Sequence, residues 1–151
     1  MTGKEEIGPT TENLQPKLNI LIADDELAIR RIMARLLTVK LGEKIGIIEL
    51  AEDGEIALKM IKENPKKYNT LITDGNMPGL NGLQLAQQSK EINPALVVAL
   101  ISAGIGQIDF SSPMGQEQAR LHGADFALGK PFTGVEFDKL LADISNRINK
   151  E

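Results

Sequence analysis

Cysteine does not occur in the 151 residues, and histidine occurs once, at His122. Without thiols there is no disulfide staple, no thiolate metal site and no thiol nucleophile. A single imidazole excludes a histidine-rich metal cluster within the chain. Basic residues are the minority, 17 against 21 acidic ones, giving a net charge of −4 and a pI of about 5.1. The basic footprint of a nucleic-acid surface is therefore missing. No apolar run approaches the ~20 residues of a membrane span. The opening stretch MTGKEEIGPTTENLQP has no apolar core of a signal peptide. The simplest expectation is a cytoplasmic protein with neither nucleic-acid nor membrane binding. What is present is ordinary globular material: 42% apolar and 25% charged residues, in a length that suits one domain with a core of its own.

Residues 1–16 are polar and broken by Gly3, Gly8, Pro9 and Pro16, which reads as a flexible tail. From residue 17 to 151 a rhythm of short apolar runs and amphipathic stretches sets in. LNILIA (18–23), IGIIELA (45–51), YNTLITD (68–74), ALVVALIS (95–102) and ADFAL (124–128) read as buried strands. Between and after them lie five helical stretches. The first carries two apolar rows, Ala28, Ile32, Leu36 and Met33, Leu37, Leu41. The second, 53–64, turns Ile56, Leu58, Met60 and Ile61 inward, with Asp53 as cap and Pro65 as stop. The third covers 82–93 and the fourth 114–123. The last presents Val135 or Phe137, then Leu140, Leu141, Ile144 and Ile148. GIGQIDFSSP, between the fourth strand and fourth helix, reads as loop. Strands alternating with helices predict a parallel α/β sheet covered on both faces.

In such sheets the site lies beyond the carboxyl ends of the strands. Asp24 and Asp25 follow the first strand, and Asp74 ends the third. Ser102 ends the fourth, and Lys130 and Pro131 follow the fifth. Three carboxylates on one edge repel one another and call for a cation. Hard oxygen ligands suit Mg²⁺, which keeps waters and favours a phosphate partner. Lysine adds a point charge for phosphate, and serine a hydroxyl donor. These are the parts for phosphoryl transfer to a carboxylate nucleophile. Behind Asp74, Pro78–Gly79 makes a type II turn pair, a stiff turn that fixes the backbone carbonyl near Asn76, a neutral metal ligand.

The motifs ADD at 23–25, DGNMPGLNG at 74–82, SA at 102–103 and KPF at 130–132 together resemble the receiver domain of two-component response regulators. The resemblance runs from about Leu18 to Asn149. It implies a flavodoxin-like sheet in the order 2-1-3-4-5. It implies that Asp74 accepts a phosphoryl group from the phosphohistidine of a sensor histidine kinase or a histidine phosphotransfer protein. Mg²⁺ would be held by Asp25, Asp74 and the Asn76 carbonyl, with Asp24 close by or acting through water. Lys130 would pair with the phosphoryl group, Ser102, followed by Ala103, would move toward it, and Pro131 would follow a cis bond. Output to a downstream protein target would pass through the face of helix 4, strand 5 and helix 5. Two features depart from the family. The position three before Lys130, usually an aromatic switch residue, is Ala127, with Phe126 beside it on the opposite face of the strand. The stretch between Ser102 and Lys130 is also several residues longer than usual, the excess falling in GIGQIDFSSPMGQ.

The expectation is a stand-alone receiver that works as a phosphorylation-controlled binding module and not as an enzyme. Two other readings compete. A haloacid-dehalogenase-like phosphohydrolase also uses an aspartate after a strand, but needs a general-acid aspartate two residues on, where this chain has Asn76. A constitutive adaptor with a dead site would not need the acidic triad and Lys130.

Overall fold

The computed structural model describes residues 15–150. Apart from Gln15 and Pro16, the tail expected over residues 1–16 lies outside the described residues. The elements follow the order β1 (Leu18–Ala23), α1 (Leu27–Leu41), β2 (Ile45–Ala51), α2 (Gly54–Glu63), β3 (Thr70–Asp74), α3 (Gly82–Ile92), β4 (Val97–Ser102), α4 (Pro113–Leu121), β5 (Phe126–Gly129) and α5 (Gly134–Asn149). A single 3-10 turn at Gly42–Lys44 joins α1 to β2. The strands form one parallel sheet in the order β2-β1-β3-β4-β5, as expected.

Side chains alternate across this sheet with a period of two, and each set meets its own layer of helices. Ile20, Ile22, Ile72 and Ala99 pack with Met33 and Leu37 of α1 and with Phe137 and Ile144 of α5. Leu21, Leu71, Val98 and Leu100 pack with Ala57 and Ile61 of α2, Leu85 of α3 and Ala119 of α4. Every residue of β4 is buried, which its unbroken apolar run foretold. Full burial of each large aliphatic side chain contributes roughly 1.5–3 kcal/mol.

Differences from the sequence reading follow from packing. Of the two apolar rows on α1, the sheet takes the one ending in Leu41, and Ile32 is left 61% exposed. In α2, Ala57 turns inward where Ile56 was expected, and in α5 Phe137 is buried while Val135 is exposed. A helix lying on a sheet buries one stripe only, and periodicity alone does not say which of two adjacent stripes it will be. β3 and β4 begin two residues later than their apolar runs, because Thr70 and Val97 pair with each other at the start of the ladder. Tyr68 and Leu96 are nevertheless buried just ahead of it. β5 is likewise shifted, to Phe126–Gly129.

Local signals explain most helix starts. Asp53, Asn81, Ser112 and Thr133 each cap the helix they precede, the second and fourth as full capping boxes with Gln84 and Glu136. α1 has no side-chain cap from its own N-cap residue, Glu26. Instead, Asp24 Oδ1 accepts the Glu26 N–H at 2.9 Å. The start of α1 is therefore tied to a carboxylate at the sheet edge.

Candidate functional site

The carboxyl edge of the sheet brings Asp24, Asp25 and Asp74 together. One carboxylate oxygen from each lies within 4.8 Å of the others. Asp24 is 5% exposed, Asp74 half-buried and Asp25 open to solvent. Burial pushes the Asp24 carboxyl above its ordinary value. The neighbouring Asp74 and Asp25 add to the rise, while the Glu26 N–H and Lys130 oppose it. A cluster that resists ionisation of one of its own members has room for positive charge.

Part of that charge is already in place. Lys130 Nζ lies 3.5 Å from Asp74 Oδ1. Its backbone N–H donates to the Ser102 carbonyl at 3.0 Å, extending the β4–β5 ladder to the site. The Lys130–Pro131 peptide bond is cis, as the family resemblance implied. Asp74 Oδ1 also accepts the Gly75 N–H at 2.9 Å. Gly75 is needed for space, since a Cβ there would come within 2.4 Å of Ser102 Oγ. The Ser102 hydroxyl is thus packed directly behind the residue that follows Asp74. In the turn expected after Asp74, Gly79 has φ +75°, the sign a type II turn needs at its third position, and the Gly82 N–H donates across the 75–82 loop to the Gly75 carbonyl at 2.8 Å. Asn76 lies exposed on this turn, and Ala103 is exposed beyond Ser102.

Ser102 itself is fully buried. Its hydroxyl donates to the Gly104 carbonyl at 3.2 Å and accepts the Gly104 N–H at 3.1 Å. Asn76 Nδ2 donates to the same carbonyl at 2.5 Å. Gly104 therefore ties the turn after Asp74 to the segment after β4. This node is not legible in the sequence, because a glycine backbone carries no chemical signature.

Three hard carboxylates, one buried and all within reach of one cation, fit Mg²⁺ by donor type and by surplus negative charge. Asp24, Asp25, Asp74 and the exposed Asn76 segment are the residues available to hold it.

An acidic cluster, a lysine and a buried hydroxyl at the carboxyl edge of a five-stranded flavodoxin-like sheet are the parts for phosphoryl transfer to a carboxylate. The model of the response regulator receiver domain matches residues 20–142, and the chain belongs to that family. It is 32% identical over 124 residues to the "Probable chemotaxis protein CheY" of Rhizobium etli, covering 80% of this chain and 87% of that protein. It is 31% identical over 141 residues to the "Probable transcriptional regulator ycf27" of Galdieria sulphuraria, covering 92% of this chain but only 49% of that relative's length. Among solved structures it resembles a response regulator receiver domain protein from Clostridium thermocellum. The TM-score is 0.70 at 27% identity, over 86% of this chain and 95% of that one. No helix among the described residues is long and apolar enough to cross a membrane.

Proposed function

We propose that Asp74 is the phosphoryl acceptor of a two-component pathway and that its donor is the phosphohistidine of a histidine kinase or phosphotransfer protein. The observation that carries this reading is the Asp74 carboxylate set between two further carboxylates and Lys130 at the open edge of the sheet. A carboxylate oxygen of Asp74 forms the new P–O bond as the P–N bond of the donor breaks. The electron pair of that bond stays on the ring nitrogen, and the imidazole leaves neutral because its other ring nitrogen carries a proton. Mg²⁺, when bound, would supply charge neutralisation at the phosphoryl oxygens. Asp25, Asp74 and the Asn76 carbonyl would hold it, with Asp24 close by or acting through water. Lys130 pairs with the phosphoryl group once it is on Asp74, and the Ser102 hydroxyl donates to one of its oxygens.

The consequence is a change in binding of a downstream protein at the face made by α4, β5 and α5. The Asn at position 76 supports this reading over a phosphohydrolase, because an amide cannot act as the general acid that such chemistry needs. The test is intact mass after incubation with acetyl phosphate and Mg²⁺. A single phosphoryl adduct that maps to Asp74 supports the proposal. Steady turnover of varied phosphate esters would support the hydrolase, and no reaction would support a silent adaptor.

A further inference from the structure

The segment between β4 and α4 is a built part of the core. Ile105 and Ile108 form an antiparallel bridge, with Ile105 N–H to Ile108 O at 3.1 Å and the reciprocal bond at 2.9 Å. Asp109 Oδ1 accepts both the N–H and the hydroxyl of Ser111, at 2.9 and 2.6 Å. Between these two structures Phe110 points inward and is 0% exposed. It joins the apolar cluster of Leu85, Ala86, Leu100, Ala119 and Ala124, the same cluster against which Ala127 packs. The aromatic bulk missing at 127 is thus present in that cluster, supplied from the inserted segment.

α4 depends on this segment for its seat. It buries only Gly115 and Ala119, whereas α3 buries five residues. Gly115 lies against the segment so closely that a Cβ would come within 1.9 Å of the Asp109 carbonyl. Gln116 Nε2 donates to the Phe110 carbonyl and, at 2.8 Å, to the Ala127 carbonyl. At its far end the segment packs on β5, where a Cβ on Gly129 would meet Ser111 at 2.8 Å. Its near end is held by the Ser102 hydroxyl and Asn76 at Gly104.

A serine hydroxyl has one proton to donate. When that proton goes to a phosphoryl oxygen on Asp74, it can no longer go to the Gly104 carbonyl. We infer that Phe110 is the positioning residue that carries this change to α4: the segment released at Gly104 shifts, Phe110 repacks in the cluster beside Ala127, and α4 moves with it. This rests on Asp74 being the acceptor. It goes beyond that reading by assigning the signal to a residue outside the family motifs.

The test uses the whole chain labelled with 4-fluorophenylalanine, which gives one ¹⁹F resonance for each of the four phenylalanines. Phe110→Leu assigns the signal. With Mg²⁺ and excess acetyl phosphate, and the adduct followed by intact mass, the Phe110 resonance should move while that of Phe137 in α5 stays. In Phe110→Leu the adduct should form to the same extent, but the amide shifts of Gln116 and Ala119 seen in the wild type should be lost. An adduct on Asp74 with an unmoved Phe110 resonance would overturn the inference and leave the acceptor reading standing. So would α4 shifts that survive in Phe110→Leu. No adduct in the wild type would overturn both.

Discussion

At the β1 and β3 ends, the chain leaves the sheet abruptly and sets carboxylates in place. Asp74 is still in the β3–β4 ladder, opposite Ile101. Asp24 is anchored by its N–H to the Ala51 carbonyl at 3.2 Å. At the β4 end, the chain runs from Ala103 to Ser112 before the next helix starts. The half proposed to accept the phosphoryl group is short and held by strand hydrogen bonds, while the half proposed to report it is long and held by side chains, a buried ring and the Ile105–Ile108 bridge. Chemistry needs its oxygens fixed before the phosphoryl group arrives. Reporting needs an arrangement that one added hydrogen-bond acceptor can disturb.

The largest effect expected is at the accepting half. Asp74→Asn keeps the shape and the Gly75 contact but removes the nucleophile. Labelling by acetyl phosphate should fall to background while the fold, by circular dichroism, is unchanged. Labelling that persists at the wild-type level would move the acceptor elsewhere and dissolve the comparison.

Next comes the burial of the segment between β4 and α4 in the core. Phe110→Ala should destabilise the protein by ~3–5 kcal/mol, as for other buried aromatic truncations. The loss should be comparable to that of Phe137→Ala in the opposite layer, both read from urea unfolding. If Phe110→Ala costs less than ~1 kcal/mol, the segment is an ordinary loop and the two halves differ only in length.

The accepting half was readable from sequence because its parts are chemical types at strand ends. Asp24, Asp25, Asp74 and Lys130 stand out against apolar runs, and the cap residues Asp53 and Asn81 mark helix starts locally. Phe110 was not readable. One aromatic among Gly, Ser and Asp carries no periodicity, and its partners Leu85, Leu100 and Ala119 come from three other elements. The same holds for Asp125, which accepts from the Val98 N–H at 2.8 Å, from Lys90 at 2.7 Å and from Arg147 at 3.0 Å. It ties β4, α3 and α5 together through contacts that only the tertiary fold creates.

A smaller effect separates two glycines of the segment between β4 and α4. Gly104 has φ +151° and faces the Ile108 carbonyl, which a Cβ would approach to 2.5 Å. Gly106 has φ +60° with nothing within 4 Å of a Cβ. Gly104→Ala should cost ~1–3 kcal/mol and loosen the node that Ser102 and Asn76 share. Gly106→Ala should cost only about 1 kcal/mol, for the left-handed backbone alone. Equal losses at the two positions, by thermal or urea unfolding, would mean that Gly104 is not held as described.

The smallest effect is expected far from the site, ahead of the amino end of β3 and beside the outer strand β2. Tyr68 donates its hydroxyl to Glu49 of β2, and Lys67 pairs with the same carboxylate at 2.9 Å. The Tyr68 hydroxyl, then Lys67, holds the Glu49 carboxyl below its ordinary value. Burial, then Glu49, pushes the Tyr68 hydroxyl well above its own. A carboxylate lowered in the folded state adds stability above its unfolded pKa and loses it as pH falls through the folded one. A tyrosine raised in the folded state adds stability below its unfolded pKa and loses it as pH rises through the folded one. Tyr68→Phe should therefore cost a constant amount across neutral pH, about 1 kcal/mol or less because Glu49 is partly solvated. The gap from wild type should narrow below the ordinary glutamate range and again above the ordinary tyrosine range. The Phe110 resonance should respond to acetyl phosphate in Tyr68→Phe as it does in the wild type. A response lost in this variant would show that the two halves of the sheet edge are not separable, and that the outer strand takes part in the report.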